Sequence, residues 1–247
     1  MLKSMRILSP AESESVRTFK SDRIIPSRCH FRWKPVDQEG TITHEAKCRW
    51  ILIGFKDPDV MELDRSAPTP QSVTINLVIT ALCSLGYEAF QGDIKSAFAQ
   101  SIPIDRELYV SQPPDGIPGL RPGQLLQLKT EIYGTVRGPA WWRQTLTAEL
   151  EKLGYEQSSF DSCVFVLRDG ASRAERDSYL RKHLNKNPFT DALPMAVKRD
   201  QSQTEVRLVK TKGVVLIEVD DLLEGGDADH RQKMSLLQKR RSSSAST

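Results

Sequence analysis

An apolar run that ends in two adjacent aspartates constrains this chain more than any other stretch. Gly213-Val214-Val215-Leu216-Ile217-Glu218-Val219 reads as a strand, Asp220-Asp221 follow, and Leu222-Leu223-Glu224 return before Gly225-Gly226. That pattern describes a hairpin of buried strands with two acids at its bend. Adjacent carboxylates raise each other's proton affinity and gain nothing in a core. A divalent cation removes the conflict, because Mg2+ takes hard oxygen donors and binds through one or two carboxylates plus substrate phosphates. With a third carboxylate on a neighbouring strand, two cations about 4 Å apart could flank an in-line phosphoryl displacement. Asp93, near the end of a strand expected over 87–94, is the best candidate for that third ligand. The plain alternative is a solvated turn pair, since acidic turns are ordinary.

Two amphipathic helices accompany these strands. The first is expected over 70–85, with Thr69 as N-cap, Pro70 in the first position and Gly86 as the stop. Ile75, Val78, Ile79, Leu82 and Leu85 form its apolar stripe. The second is expected from Pro139 to Gly154, carrying Trp142, Leu146, Leu150 and Leu153 on one face. Short strands are expected at 28–33, 46–55 and 163–167, the first two joined by a turn at Gln38-Glu39-Gly40. Basic and apolar residues alternate in the second, which puts Lys47 and Arg49 on one side. Helices packed on one face of a mainly antiparallel sheet make an α+β domain.

No apolar run approaches the roughly 18 residues that a membrane span needs. The N-terminus lacks the apolar core of a signal peptide, so an intracellular protein with no membrane partner is expected. Cys29, Cys48, Cys83 and Cys163 form no CxxC pair, and no histidine stands at zinc spacing. Reduced, mostly buried thiols are therefore expected. The 35 Lys+Arg and 32 Asp+Glu leave a net charge of +3, too small to imply a polyanion partner by itself. Residues 1–20 are expected to be disordered, 169–212 to be a charged surface insertion helical around 174–184, and 227–247 to be a basic disordered tail.

A set of short motifs runs in order along the chain. Lys47-Cys48-Arg49-Trp50-Ile51-Leu52-Ile53-Gly54-Phe55 is similar to a KARLVARGF segment. Gly92-Asp93-Ile94-Lys95-Ser96-Ala97-Phe98 resembles MDVKTAF, and Leu108-Tyr109-Val110-Ser111-Gln112-Pro113-Pro114 resembles VYMEQPPGF. Ile132-Tyr133-Gly134-Thr135-Val136-Arg137-Gly138-Pro139-Ala140-Trp141-Trp142 is similar to LYGLKQSPRAW. Leu153-Gly154-Tyr155, Phe160-Asp161-Ser162-Cys163-Val164-Phe165 and Val219-Asp220-Asp221 resemble LGF, SDPSLY and the YVDD box. Together they resemble the reverse transcriptase of Ty1/copia-type retrotransposons, from about residue 21 to 226 apart from the insertion.

The resemblance implies a fingers-and-palm fold: fingers over 21–68, palm over 69–168, and a catalytic palm hairpin over 213–226. It also implies that the thumb is missing, as in a truncated copy. Asp93, Asp220 and Asp221 would be the catalytic triad, holding two Mg2+ ions (Mn2+ as a substitute), with Asp221 less directly placed. Lys47 and Arg49 would hold the dNTP triphosphate, and Phe98 would exclude a 2′-hydroxyl. The implied partners are an RNA or DNA template with its primer, and a dNTP; the implied activity is RNA-directed DNA synthesis. The chain departs from the pattern where Glu218 replaces the tyrosine of YVDD, where Val136-Arg137-Gly138 replace Lys-Gln-Ser, and where Ile53 replaces an arginine. Two other readings stand beside it: a non-catalytic remnant that at most binds nucleic acid, and a different metal-dependent phosphoryl-transfer enzyme.

Overall fold

A computed structural model describes residues 4–38, 40–169 and 210–246 of the 247. Residues 170–209 of the charged insertion, with the helix expected around 174–184, lie outside the described residues. The chain divides into two compact units: Met1–Pro68, Asp93–Glu149 and Gln238–Thr247 in the first, Thr69–Gly92 and Leu150–Leu237 in the second. Among the described residues, no helix is long and apolar enough to cross a membrane.

The first unit holds a four-stranded sheet and a separate ribbon. Strands β1 (Met5–Ile7), β7 (Leu126–Leu128), β6 (Tyr109–Val110) and β2 (Ile24–Ile25) lie in that order, with β2 parallel to β6 and the other pairs antiparallel. Met5, Ile25, Leu108, Val110, Leu126, Leu128 and Ile132 bury their side chains together as its core. The ribbon is β3 (Ser27–Gln38) paired with β4 (Thr41–Leu52), two strands of 12 residues each with no third partner among the described residues.

The expectation of disorder over 1–20 is corrected here. Helix α1 spans Pro10–Phe19 behind a complete capping box: the Ser9 hydroxyl accepts from the Glu12 backbone N–H, and the Glu12 carboxylate accepts from that of Ser9. Pro10 occupies the first turn, where its missing N–H costs nothing. With Val16 and Ser13 the buried residues of α1, its apolar periodicity is faint, although its start signal is complete.

The second unit is built on a five-stranded sheet. Its order is β5 (Phe90–Asp93), β11 (Asp221–Gly226), β10 (Thr211–Glu218), β9 (Val164–Arg168) and β8 (Tyr155–Gln157). The pairs from β11 through β8 are antiparallel. Helix α2 (Ser72–Leu85) packs Val78 and Leu82 onto Val164, Val214 and Leu216. It ends at Gly86, whose φ of 69° supplies the left-handed stop that the sequence signals. It starts at Ser72 rather than Pro70, with Gln71 rather than Thr69 in the N-cap position and no side-chain cap bond there, and Ile79 and Leu85 of the expected stripe are exposed. Helix α3 spans Gly138–Lys152, its residues through Glu149 in the first unit; Trp142, Leu146 and Leu150 of the expected stripe are buried and Leu153 is half-buried.

Both faces of the β10–β11 hairpin are covered, not one. Successive strand residues face opposite ways, and two adjacent glycines use this. A Cβ on Gly225 would stand 2.8 Å from Leu82 of α2. A Cβ on Gly226, or on its cross-strand partner Gly213, would strike the His230 ring at 2.5 and 2.1 Å. His230 belongs to helix α4 (Ala228–Ser246), which lies where a disordered tail is expected over 227–247. Its buried stripe is His230, Met234 and Leu237, one imidazole and two apolar side chains in an otherwise polar run. So short a stripe is poorly legible as sequence, and the glycine notch that receives the imidazole lies on other strands.

Candidate functional site

The hairpin turn of the second unit carries the adjacent acids. Glu218 pairs with Asp221, leaving Val219 and Asp220 as a two-residue turn. Val219 has φ of 56°, in the left-handed region. A β-branched residue held there is a backbone outlier costing about 1–3 kcal/mol. Asp220 is half-buried, and Glu218 and Asp221 are exposed. Like charges directly opposite one another on a ribbon repel. Lys212 pairs with Asp169 and Asp229, and His230 faces Glu224, ion pairs of this unit in which neither Glu218 nor Asp221 takes part.

Asp93 closes β5, the strand beside β11 in the sheet order. Within the second unit, the preceding Gly92 lies so that an added Cβ would sit 4.0 Å from Leu222. Asp93 itself opens a segment of the first unit and is exposed. Ser96 follows with φ of 55°. Ser96 and Val219 are the two non-glycine residues with positive φ among the described residues; Val219 adjoins Asp220, and Ser96 follows Asp93 by three positions. Such outliers concentrate where function holds the backbone in place.

Among the described residues, no three His, Cys, Asp or Glu side chains form a group able to hold a metal ion. Asp220 and Asp221 offer two adjoining hard oxygen donors. That is the number and type Mg2+ takes from protein when substrate phosphates complete its shell.

In the first unit, the ribbon register sorts side chains onto two faces. Arg28, His30, Arg32 and Lys34 of β3 share a face with Lys47 and Arg49 of β4, where Arg32 is opposite Lys47 and His30 opposite Arg49. The other face carries Cys29, Phe31, Trp33, Cys48 and Trp50, with Phe31 and Trp33 66% and 68% exposed. Phe98, on a short 3-10 turn at Ala97–Gln100, is buried, its ring edge-on to Tyr133 with centroids 4.8 Å apart. The Tyr133 carbonyl accepts from the Leu52 N–H at 3.0 Å, which ties this turn to the end of β4. Gly134 (φ 93°) makes that approach possible: a Cβ there would stand 2.2 Å from the Leu52 carbonyl oxygen. Lys47, Arg49, Phe98 and Asp93 thus belong to the first unit, Asp220 and Asp221 to the second.

Arg137 departs from the family motif and is bound into its own unit. It donates to Asp105 at 2.7 Å and stacks 3.6 Å above Trp141. Burial alone would raise the Asp105 carboxyl, but the Arg137 bond and charge outweigh it and hold it below its ordinary value.

Sequence reasoning missed a buried charge cluster. Arg106 binds Asp57 through both terminal nitrogens (2.7 and 2.6 Å), donates to Asp59 at 3.1 Å, and lies 3.7 Å from Glu131. Burial pushes the fully buried Glu131 carboxyl up, with Thr135 and Arg106 pulling the other way. The same three acids lift Arg106 above its ordinary value, against the effect of burial. The partners lie far apart in the chain, and no local spacing announces them. His230 was missed too: its Nδ1 is 2.8 Å from the Tyr155 hydroxyl, and its Nε2 faces Glu224 at 3.5 Å. Burial, then the acids Glu224, Asp229 and Asp227, raise the Tyr155 hydroxyl far above its ordinary value.

Residues 13–179 match the profile of a family described as reverse transcriptase (RNA-dependent DNA polymerase). The chain is similar to the Retrovirus-related Pol polyprotein from transposon RE2 of Arabidopsis thaliana, 29% identical over 145 residues, covering 57% of this chain and 10% of that protein. It is 28% identical over 145 residues to the corresponding polyprotein from transposon RE1 of Arabidopsis thaliana, again 57% of this chain and 10% of the relative. Against that from transposon TNT 1-94 of Nicotiana tabacum it is 24% identical over 123 residues, 49% of this chain and 9% of the relative. The chain spans about a tenth of the length of these curated relatives.

Proposed function

The chain belongs to the reverse transcriptase (RNA-dependent DNA polymerase) family, of the copia-like type, and from that premise we propose that it carries out RNA-directed DNA synthesis. In this reading it transfers a dNMP from a dNTP to a primer 3′-hydroxyl on an RNA or DNA template, as part of a Pol polyprotein. The ribbon β3–β4 acts as fingers and the β10–β11 hairpin as the catalytic part of the palm. The observation that carries the reading is the Glu218–Asp221 turn. It gathers three acids around a strained valine, with Glu218 directly opposite Asp221.

Asp93, Asp220 and Asp221 would hold the divalent ions, Asp93 and Asp220 most directly. When bound, two Mg2+ ions would neutralise the triphosphate and lower the pKa of the attacking hydroxyl. Lys47 and Arg49, on the basic face of the ribbon, bind the triphosphate through charge-assisted hydrogen bonds. Arg28, Arg32 and Lys34 extend that face toward template phosphates, which are gripped without regard to sequence. Phe98, fixed by Tyr133, excludes a 2′-hydroxyl by bulk.

Primer extension on poly(rA)/oligo(dT) with Mg2+ or Mn2+ tests the proposal. Incorporation in the wild type that is lost in Asp220→Asn supports it. A second reading, a non-catalytic remnant that binds nucleic acid, is favoured by one observation: Glu218 adds a like charge directly opposite Asp221. Retained RNA binding with no incorporation by the wild type would establish that reading instead.

A further inference from the structure

The expectation of mostly buried thiols fails on the ribbon, and the failure has a chemical consequence. Cys163 is buried, Cys29 is half-buried, and Cys48 and Cys83 are exposed. Cys29 is opposite Trp50, and Cys48 is opposite Phe31. The two cysteines are therefore diagonal neighbours on the apolar face of the ribbon, one on each strand. The Cys29 and Cys48 thiols are near enough to influence each other's proton affinity. Burial, then that neighbouring thiol, pushes Cys29 above its ordinary value, leaving the exposed Cys48 as the more accessible nucleophile.

We propose that Cys29 and Cys48 form a dithiol site that exchanges with small-molecule disulfides and closes reversibly into a cross-strand disulfide. The Cys48 thiolate attacks one sulfur of the small disulfide. A Cys48–small-thiol mixed disulfide forms, and the first small thiolate leaves and takes up a proton. Cys29 then loses its proton and attacks the Cys48 sulfur, and the second small thiol leaves. Two protein thiols are oxidised to one disulfide, and one small disulfide is reduced to two thiols.

Geometry makes the bond strained and hence reversible. Diagonal Cα atoms on paired strands stand about 7–8 Å apart, beyond the roughly 4.4–6.8 Å usual for a disulfide. Closing the bond therefore requires the strands to twist. A two-stranded ribbon allows this, since such ribbons twist more than wide sheets and, among the described residues, no third strand holds this one flat. Strained, exposed disulfides are the labile ones. Cys48 also lies between Lys47 and Arg49, so the cross-link would fix the backbone that carries both cations.

The test uses the full chain and oxidised glutathione at stepped ratios to reduced glutathione, followed by acid quench, alkylation and peptide mass spectrometry. Cys83, exposed on α2, is an internal reference for a lone thiol. The expected product is a linked pair of Cys29 and Cys48 peptides, while Cys83 carries only the glutathione adduct. In Cys29→Ser, Cys48 stops at the adduct, as Cys83 does. Cys48 halting at the adduct in the wild type, with Cys29 still alkylated, would overturn the proposal. So would Cys48 reacting no more readily than Cys83. The readout is covalent, so neither outcome depends on polymerase activity.

Discussion

Two clusters of acids, one in each unit, differ in how they are held. Asp57, Asp59 and Glu131 surround Arg106, a cation the chain itself supplies. Glu218, Asp220 and Asp221 crowd a tight turn, and neither Glu218 nor Asp221 enters the ion pairs of its unit among the described residues. The first cluster lies inside its unit and joins the loop after β4 to a later segment; its work is structural. The second lies at a turn beside a strained backbone, suited to a cation that arrives with a substrate. An acid cluster held around an internal cation is architecture, whereas acids crowded at a strained turn, with Glu218 opposite Asp221, mark a candidate site.

The sharpest way to break that contrast is to remove the internal cation. Arg106→Met leaves Asp57 and Glu131 buried without it, and loss of one partner of a buried pair costs about 3–5 kcal/mol. Urea denaturation should show a loss of that size; a loss under about 1 kcal/mol would make the cluster dispensable.

The turn should respond to an external cation instead. Mg2+ at about 100 times its dissociation constant should stabilise the wild type by roughly 2.7 kcal/mol. Asp220→Asn should lose most of that gain in a thermal melt, whereas Arg106→Met should keep it.

Glu131 sharpens the comparison through pH. Its carboxyl is raised above 4.5 by burial, so the folded state holds its proton more tightly than the unfolded chain does. Stability from this group is full below the unfolded value and is lost as pH rises through the folded one. Glu131→Gln removes that slope. The melting temperature of wild type minus variant should therefore fall from acid to neutral pH; a difference that grows would reverse the sign.

The smallest effect is expected at Glu218. Relieving a like-charge cross-strand pair with Glu218→Gln should stabilise the metal-free chain by about 0.2–1 kcal/mol. Destabilisation on that scale would mean that Glu218 has a favourable partner.

The contrast also marks what the sequence could convey. The β10–β11 hairpin was legible because its apolar run and its acids are contiguous. The end of α2 was legible because Gly86 is a local stop. The start of α1 is written in Ser9-Pro10-Ala11-Glu12, but no apolar stripe follows it to mark a helix. Arg106 with Asp57, and His230 with Gly213 and Gly226, depend on contacts between distant segments, which no local pattern encodes. Of the expected site residues, Lys47 and Arg49 share one ribbon face by alternation alone. Alternation within one strand does not give the cross-strand register, on which the diagonal placement of Cys29 and Cys48 depends.

Binding of Mn2+ in place of Mg2+, followed by electron paramagnetic resonance, tests most directly whether Asp93 and the Asp220-Asp221 turn act on one cation. Asp93→Asn and Asp220→Asn should each weaken binding by at least tenfold, while Asp57→Asn leaves the affinity unchanged. Wild-type affinity in Asp93→Asn would contradict a shared site and, with it, the assignment of these three acids to nucleotidyl transfer.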